Sequence, residues 1–124
     1  MGTDIHCVVE IQPYDDIPSH WREVVLADSA IIDRNYDEFA HWFGVRNARG
    51  VTPKWASRGL PDDVSEFTKE ASREDAHSHT YVTLSELAEV DMLWPDLMLV
   101  FELMLKLAGR FGFANVRLVV WFDN

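Results

Sequence analysis

The sequence predicts an α+β fold: a mainly antiparallel sheet with helices packed on one face, in a single domain over residues 1–124. Three observations lead there. Apolar and polar residues alternate near the amino terminus, a valine-rich run of high β-propensity closes the chain, and the segments between carry helix start and stop signals. With 124 residues, 48% of them apolar, the chain can build a hydrophobic core without staples.

The first strand runs from Asp4 to Ile11. Ile5, Cys7, Val9 and Ile11 share one face, and Asp4, His6, Val8 and Glu10 share the other, as in a half-buried strand. The link from Gln12 to His20, with Pro13, Asp15, Asp16 and Pro18, suits a loop. Trp21 to Ala27 reads as a second strand folding back antiparallel on the first. Asn35 then caps a helix, Glu38 stands three residues later, and Gly44 ends it, with Tyr36, Phe39, Ala40 and Phe43 as its apolar stripe.

Val45 to Pro61 has no sustained period and gathers Arg46, Arg49, Lys54 and Arg58. Long loops in compact domains often carry function. Asp62 or Asp63 begins a polar helix reaching about Arg73, expected to be exposed because only Val64 and Phe67 give it apolar surface. His77 to Val82 reads as a short strand, and Thr83-Leu84-Ser85-Glu86 is a capping box that starts a short helix through about Val90. Pro95 opens the strongest helix, which ends before Gly109 or Gly112. Leu97 to Met104 is apolar except for Glu102, so this helix is either central to the core or partly buried in a subunit interface. The second alternative implies a homodimer. Val116 to Phe122 is the last strand and is expected beside the first, which would bring Asp4, His6 and Asp123 together at one sheet end.

Composition narrows function. Twenty-one acidic against 11 basic residues give a net charge of −10, which argues against tracking a nucleic-acid backbone. A lone cysteine, Cys7, excludes an internal disulfide and fits a reducing compartment. No apolar run approaches the ~20 residues that span a bilayer, and no basic start followed by an apolar stretch marks a signal peptide. The expectation is a cytoplasmic protein with no membrane and no nucleic-acid partner.

Two segments carry candidate chemistry. Asp4 and His6, and likewise His77 and His79, stand two residues apart on strands, so each pair is expected to present two ligands on one face. Together Asp4, His6, His77 and His79 could hold a divalent metal, zinc or manganese, with an open position to activate water. The plainer alternative leaves these groups capping turns and strand ends. Arg46 and Arg58 offer guanidinium forks that suit phosphate or carboxylate, although no phosphate-cradling glycine loop is present. Arg58 could equally fix its loop through Asp62, Asp63 or Asp123. No Gly-x-Ser-x-Gly elbow surrounds any serine, and Trp42, Trp55 and Trp94 are more commonly packing residues than a binding surface.

The opening Met1-Gly2-Thr3-Asp4-Ile5-His6 resembles a family of small uncharacterised proteins carried by bacteriophages and prophages. So do Arg34-Asn35-Tyr36-Asp37 leading into Phe39, Val45-Arg46-Asn47, Arg58-Gly59-Leu60-Pro61-Asp62-Asp63, His77-Ser78-His79 with Thr83-Leu84, and Val116 to Asn124. These pieces span almost the whole chain. The resemblance implies a phage or prophage accessory protein in the bacterial host's cytoplasm, and it points to Asp4, His6, Arg58, His77, His79 and Asp123. The leading expectation is non-catalytic binding of a small anionic ligand or a host protein, with anti-defence as one such role. Its ligand contacts would be Arg46, Arg58 and Asp123. The alternatives are a metal-dependent hydrolase of a phosphoester or nucleotide, and a structural or assembly protein.

Overall fold

Strands from both ends of the sequence form the middle of the sheet. A computed structural model describes residues 2–13 and 20–123, so most of the expected Gln12 to His20 loop, with Asp15 and Asp16, lies outside the described residues. The strands are β1 (Asp4–Ile11), β2 (Arg22–Ala27), β3 (Ala76–Thr83) and β4 (Val116–Asp123), in the order β2-β1-β4-β3. Every pairing is antiparallel, and the α+β class is as the sequence predicts. The β1–β4 register sets Asp4 opposite Asp123 and His6 opposite Trp121.

That register sorts the side chains onto two faces. Ile5, Cys7, Val9, Val116, Leu118, Val120 and Phe122 all lie in the main core. This face is covered by α1 (Tyr36–Phe43), α3 (Leu84–Ala88) and α4 (Pro95–Phe111), through residues such as Phe39, Leu87, Leu97 and Met104. The Asn35 side chain caps α1, Gly44 ends it at φ 73, and Thr83 with Glu86 forms the expected capping box on α3. Trp42, Trp55 and Trp94 are buried here, with Trp42 and Trp55 stacked at 5.0 Å. The α4 helix buries Leu97, Val100 and Met104 yet leaves Leu99 and Leu105 exposed. A 3-10 turn, Phe113–Asn115, leads from it into β4.

The second face has its own small cluster of Val8, Val119 and Trp121, packed under Leu60 and Val64. Here the structure shortens the helix expected at Asp62 to Arg73, and Glu66, Phe67, Lys69, Glu70 and Ala71 are exposed as expected. The helix, α2 (Glu66–Ala71), is shorter, starts at a Ser65 cap, and buries Ser65, Thr68 and Ser72. Polar anchoring replaces apolar packing. Glu10 is fully buried, and its carboxylate accepts from Ser65 N (3.0 Å), Thr68 Oγ1 (2.7 Å), and Arg117 Nε and Nη2 (3.0 and 2.8 Å). Arg117 also donates to Asp63 at 2.9 Å and lies 3.9 Å from the Trp21 ring centroid. Burying a charge is costly unless it is paired and hydrogen-bonded. This pair meets both conditions, and so ties the 63–68 segment to the sheet.

Candidate functional site: a polar corner beside a two-arginine cleft

At the end of the sheet where β1 begins and β4 finishes, each residue from Gly2 to His6 has a structural partner. The open space at Gly2 is occupied by the Arg34 guanidinium, which would overlap a side chain there. Arg34 Nε donates to Asp4 Oδ1 at 2.7 Å, and this bond holds the Asp4 carboxyl below the usual carboxylate range. The Asp4 amide donates to Asp123 Oδ1. Ile5 enters the core. His6 Nε2 donates to Asp123 Oδ2 at 2.6 Å while its ring stacks on Trp121, 5.7 Å away and 13° from parallel. Asp4, His6 and Asp123 therefore meet at one corner, as the strand order implies.

His77 and His79 do not join them. Ser78 has φ 56 and lies in a register shift between His77 and Thr80, so two residues of β3 oppose Trp121. This bulge breaks the alternation assumed for the pair. His77 pairs with Phe122 and stacks against it on the core face, opposite the face that carries His6. His79 turns the other way, its Nε2 donating to the Ser72 carbonyl at 2.9 Å. Among the described residues, no group of three or more His, Cys, Asp or Glu side chains is placed to hold a metal ion. The expected ligand set Asp4, His6, His77 and His79 is thus split between two faces.

Arg58 is also committed elsewhere. Its guanidinium grips Glu86 through two bonds of 2.8 and 2.6 Å, donates to the Tyr81 carbonyl, and sits over the Tyr81 ring. The hydrogen bond from Arg58 pulls the Glu86 carboxyl down to about 2. So the loop is fixed by a carboxylate, but that carboxylate is Glu86 rather than Asp62, Asp63 or Asp123. Burial pushes the Cys7 thiol up, consistent with an inert core cysteine.

Arg46 lies in a different setting. A cleft of about 360 Å³ is lined by Tyr36, Asp37, Ala40 and His41 of α1 and by Arg46, Asn47, Ala48, Arg49 and Val51 of the loop that follows. Arg46 adopts φ 55, donates from Nε to Thr3 Oγ1 at 2.9 Å, and lies 5.1 Å from the Tyr36 ring centroid. The Asn47 side chain closes its own loop by bonding both the amide and the carbonyl of Val51. Arg49 is exposed and makes no ion pair among the described residues. By contrast, Arg34, Arg58, Arg73 and Arg117 are each held by carboxylates.

Two participants escape the sequence reading. Thr3 looks like a spacer but is buried and links the corner to the cleft. Glu10 looks like an ordinary solvent-side residue of an alternating strand. A deep-lying acidic position in β1 facing Arg117 in β4 is the only signal, and it becomes readable once the register is known. Among the described residues, no helix is long and apolar enough to cross a membrane. The chain matches no family model, no curated protein and no solved structure.

Proposed function

We propose that this protein is a non-catalytic binding protein that captures a small anionic ligand in the cleft between α1 and the 46–51 loop. One observation carries the reading. In a chain of net charge −10, two arginines line one ligand-sized cleft together with the apolar Ala40, Ala48 and Val51. Guanidinium groups suit carboxylate and phosphate oxygens, and apolar walls favour an anion carried on a small apolar body. The resemblance of the amino-terminal segment and the later motifs supports a phage or prophage accessory role, in which capture of a host-made signal would oppose a defence system. Arg58 and Asp123 contribute to this reading only by holding the scaffold, through Glu86 and His6.

The test is direct. Protein purified from a bacterial host is heated, and the released small molecules are identified by mass spectrometry. In parallel, the emptied protein is titrated with nucleotides and phenyl phosphate. A retained anion, or saturable binding that weakens about tenfold in Arg49→Ala, is expected. No retained compound and no saturable binding across the set would refute small-anion capture.

A second reading, self-association, is favoured by exposed Leu99 and Leu105 on α4 and by Leu93 just before it. Light scattering over a concentration series checks it. A dimer that Leu99→Glu converts to monomer is the expected result, and a strict monomer at high concentration would remove it.

A further inference from the structure

Thr3 joins the amino-terminal strand to the cleft through two bonds that run in different directions. Its hydroxyl accepts from Arg46 Nε at 2.9 Å, and its amide donates to the Tyr36 hydroxyl at 3.0 Å. Those two partners also touch each other, with the Arg46 guanidinium carbon 5.1 Å from the Tyr36 ring centroid. Thr3 itself is 1% exposed, so the hydroxyl end of the junction is shielded from solvent while Arg46 and Tyr36 are exposed. Arg46 has a left-handed backbone, a conformation that a non-glycine residue adopts only when its surroundings hold it there. An exposed arginine normally samples many rotamers, and fixing one has an entropic cost that must be met before a ligand arrives.

We propose that Thr3 is a positioning residue for anion binding: it fixes Arg46 and Tyr36 as one wall of the cleft. This rests on the capture reading above and adds the residue that tunes it. The wall is held from outside the cleft, so Thr3 never touches the ligand. Because Nε is bonded to Thr3, an incoming anion meets a guanidinium whose plane is already set. The Gly2-to-His6 segment thereby acquires a role without any metal. Arg34, Asp4, Asp123 and His6 lock the strand start, and Thr3 transmits that rigidity to the cleft.

The experiment titrates phenyl phosphate into wild type, Thr3→Val, Thr3→Ser, Tyr36→Phe and Arg49→Ala while following arginine Nε–H signals by ¹H–¹⁵N NMR. Thr3→Val keeps the shape and removes the hydroxyl. It is expected to move the Arg46 Nε–H signal toward those of solvent-exposed arginines and to weaken binding about five- to tenfold. Thr3→Ser restores both within about twofold. A merely structural role would shift thermal stability without moving the Arg46 signal. If Thr3→Val does not fold, Tyr36→Phe and Thr3→Ser carry the test. Tyr36→Phe keeps the ring beside Arg46, removes the hydroxyl that accepts from the Thr3 amide, and is expected to weaken binding about threefold or more, whereas unchanged affinity would overturn the proposal. If wild type binds and Arg49→Ala weakens it while Thr3→Val does not, positioning is overturned and the capture reading stands. If wild type retains no anion and binds neither phenyl phosphate nor the nucleotides titrated beside it, both are overturned.

Discussion

Truncating Glu10 should be strongly destabilising. Its carboxylate is fully buried and accepts four hydrogen bonds, two of them from Arg117. Glu10→Ala would leave Arg117 largely enclosed, with Asp63 as its remaining carboxylate partner among the described residues and the Trp21 ring beside it, and would remove the carboxylate that accepts from the Ser65 amide and Thr68 hydroxyl. Removing one partner of a buried pair costs about 3–5 kcal/mol. The surviving Asp63 bond at 2.9 Å puts this case near the lower end, at about 3 kcal/mol. Against a total of about 5–15 kcal/mol for a domain, that is a large share.

Urea denaturation followed by tryptophan fluorescence reads the loss as a midpoint lower by roughly 1.5 M, taking a slope near 2 kcal/mol/M. Glu10→Leu combined with Arg117→Met should recover most of it, because apolar replacement of both partners of a buried pair is often neutral. Glu10→Ala within about 0.5 kcal/mol of wild type would refute the reasoning. So would a double variant that is no better than the single one.

Three further outcomes are expected. The Glu86 carboxyl is depressed in the folded state, so the stability it contributes is present above the ordinary carboxylate value of 4.5 and fades as pH falls toward 2. The Arg58–Glu86 pair is about 30% exposed, so screening reduces that contribution to about 1 kcal/mol. Arg58→Ala should flatten acid unfolding between pH 4.5 and pH 2, and an unchanged profile would count against the pair. Gly44→Ala should destabilise by about 1–2 kcal/mol, since φ is 73 and the added carbon would lie 3.1 Å from Pro53; calorimetry without a lowered midpoint would contradict this. Chelator should leave the thermal midpoint unchanged, whereas His6→Ala lowers stability by about 1 kcal/mol through loss of Asp123 and Trp121 contacts. Stoichiometric zinc or manganese in elemental analysis, lost in His6→Ala, would contradict this expectation.

The parts of the fold that rest on local periodicity were legible in the sequence. Alternation assigns the residues of β1 and β4 to their two faces, although β1 is buried on both faces from Cys7 onward rather than half-buried, and asparagine, glycine and the Thr83–Glu86 box mark helix ends that the structure reproduces. Placing β4 beside β1 brought Asp4, His6 and Asp123 together, and they do meet. The two histidines depart from alternation for a local reason. A serine at φ 56 gives no advance notice of a bulge as a glycine would, so spacing predicts one face for His77 and His79 where the structure has two. The scarcity of apolar residues in α2 predicts an exposed helix, and most of it is exposed; what no spacing reveals is that buried hydrogen bonds to Glu10 secure Ser65 and Thr68. Arg58 chose Glu86 because the β3–α3 junction brings that carboxylate into reach, which no spacing within the 58–63 segment could reveal.

The placement of β4 between β1 and β3 has a consequence for how the chain acquires its shape. The β1–β2 hairpin and β3 do not pair with each other; each docks on β4, whose residues are more than a hundred positions away from their β1 partners. Contacts of such long sequence separation slow folding, since a large loop must close before any of them is rewarded. A fragment ending before Val116 would leave β1 and β3 each without the strand that joins them, and such unpaired edges invite aggregation during synthesis.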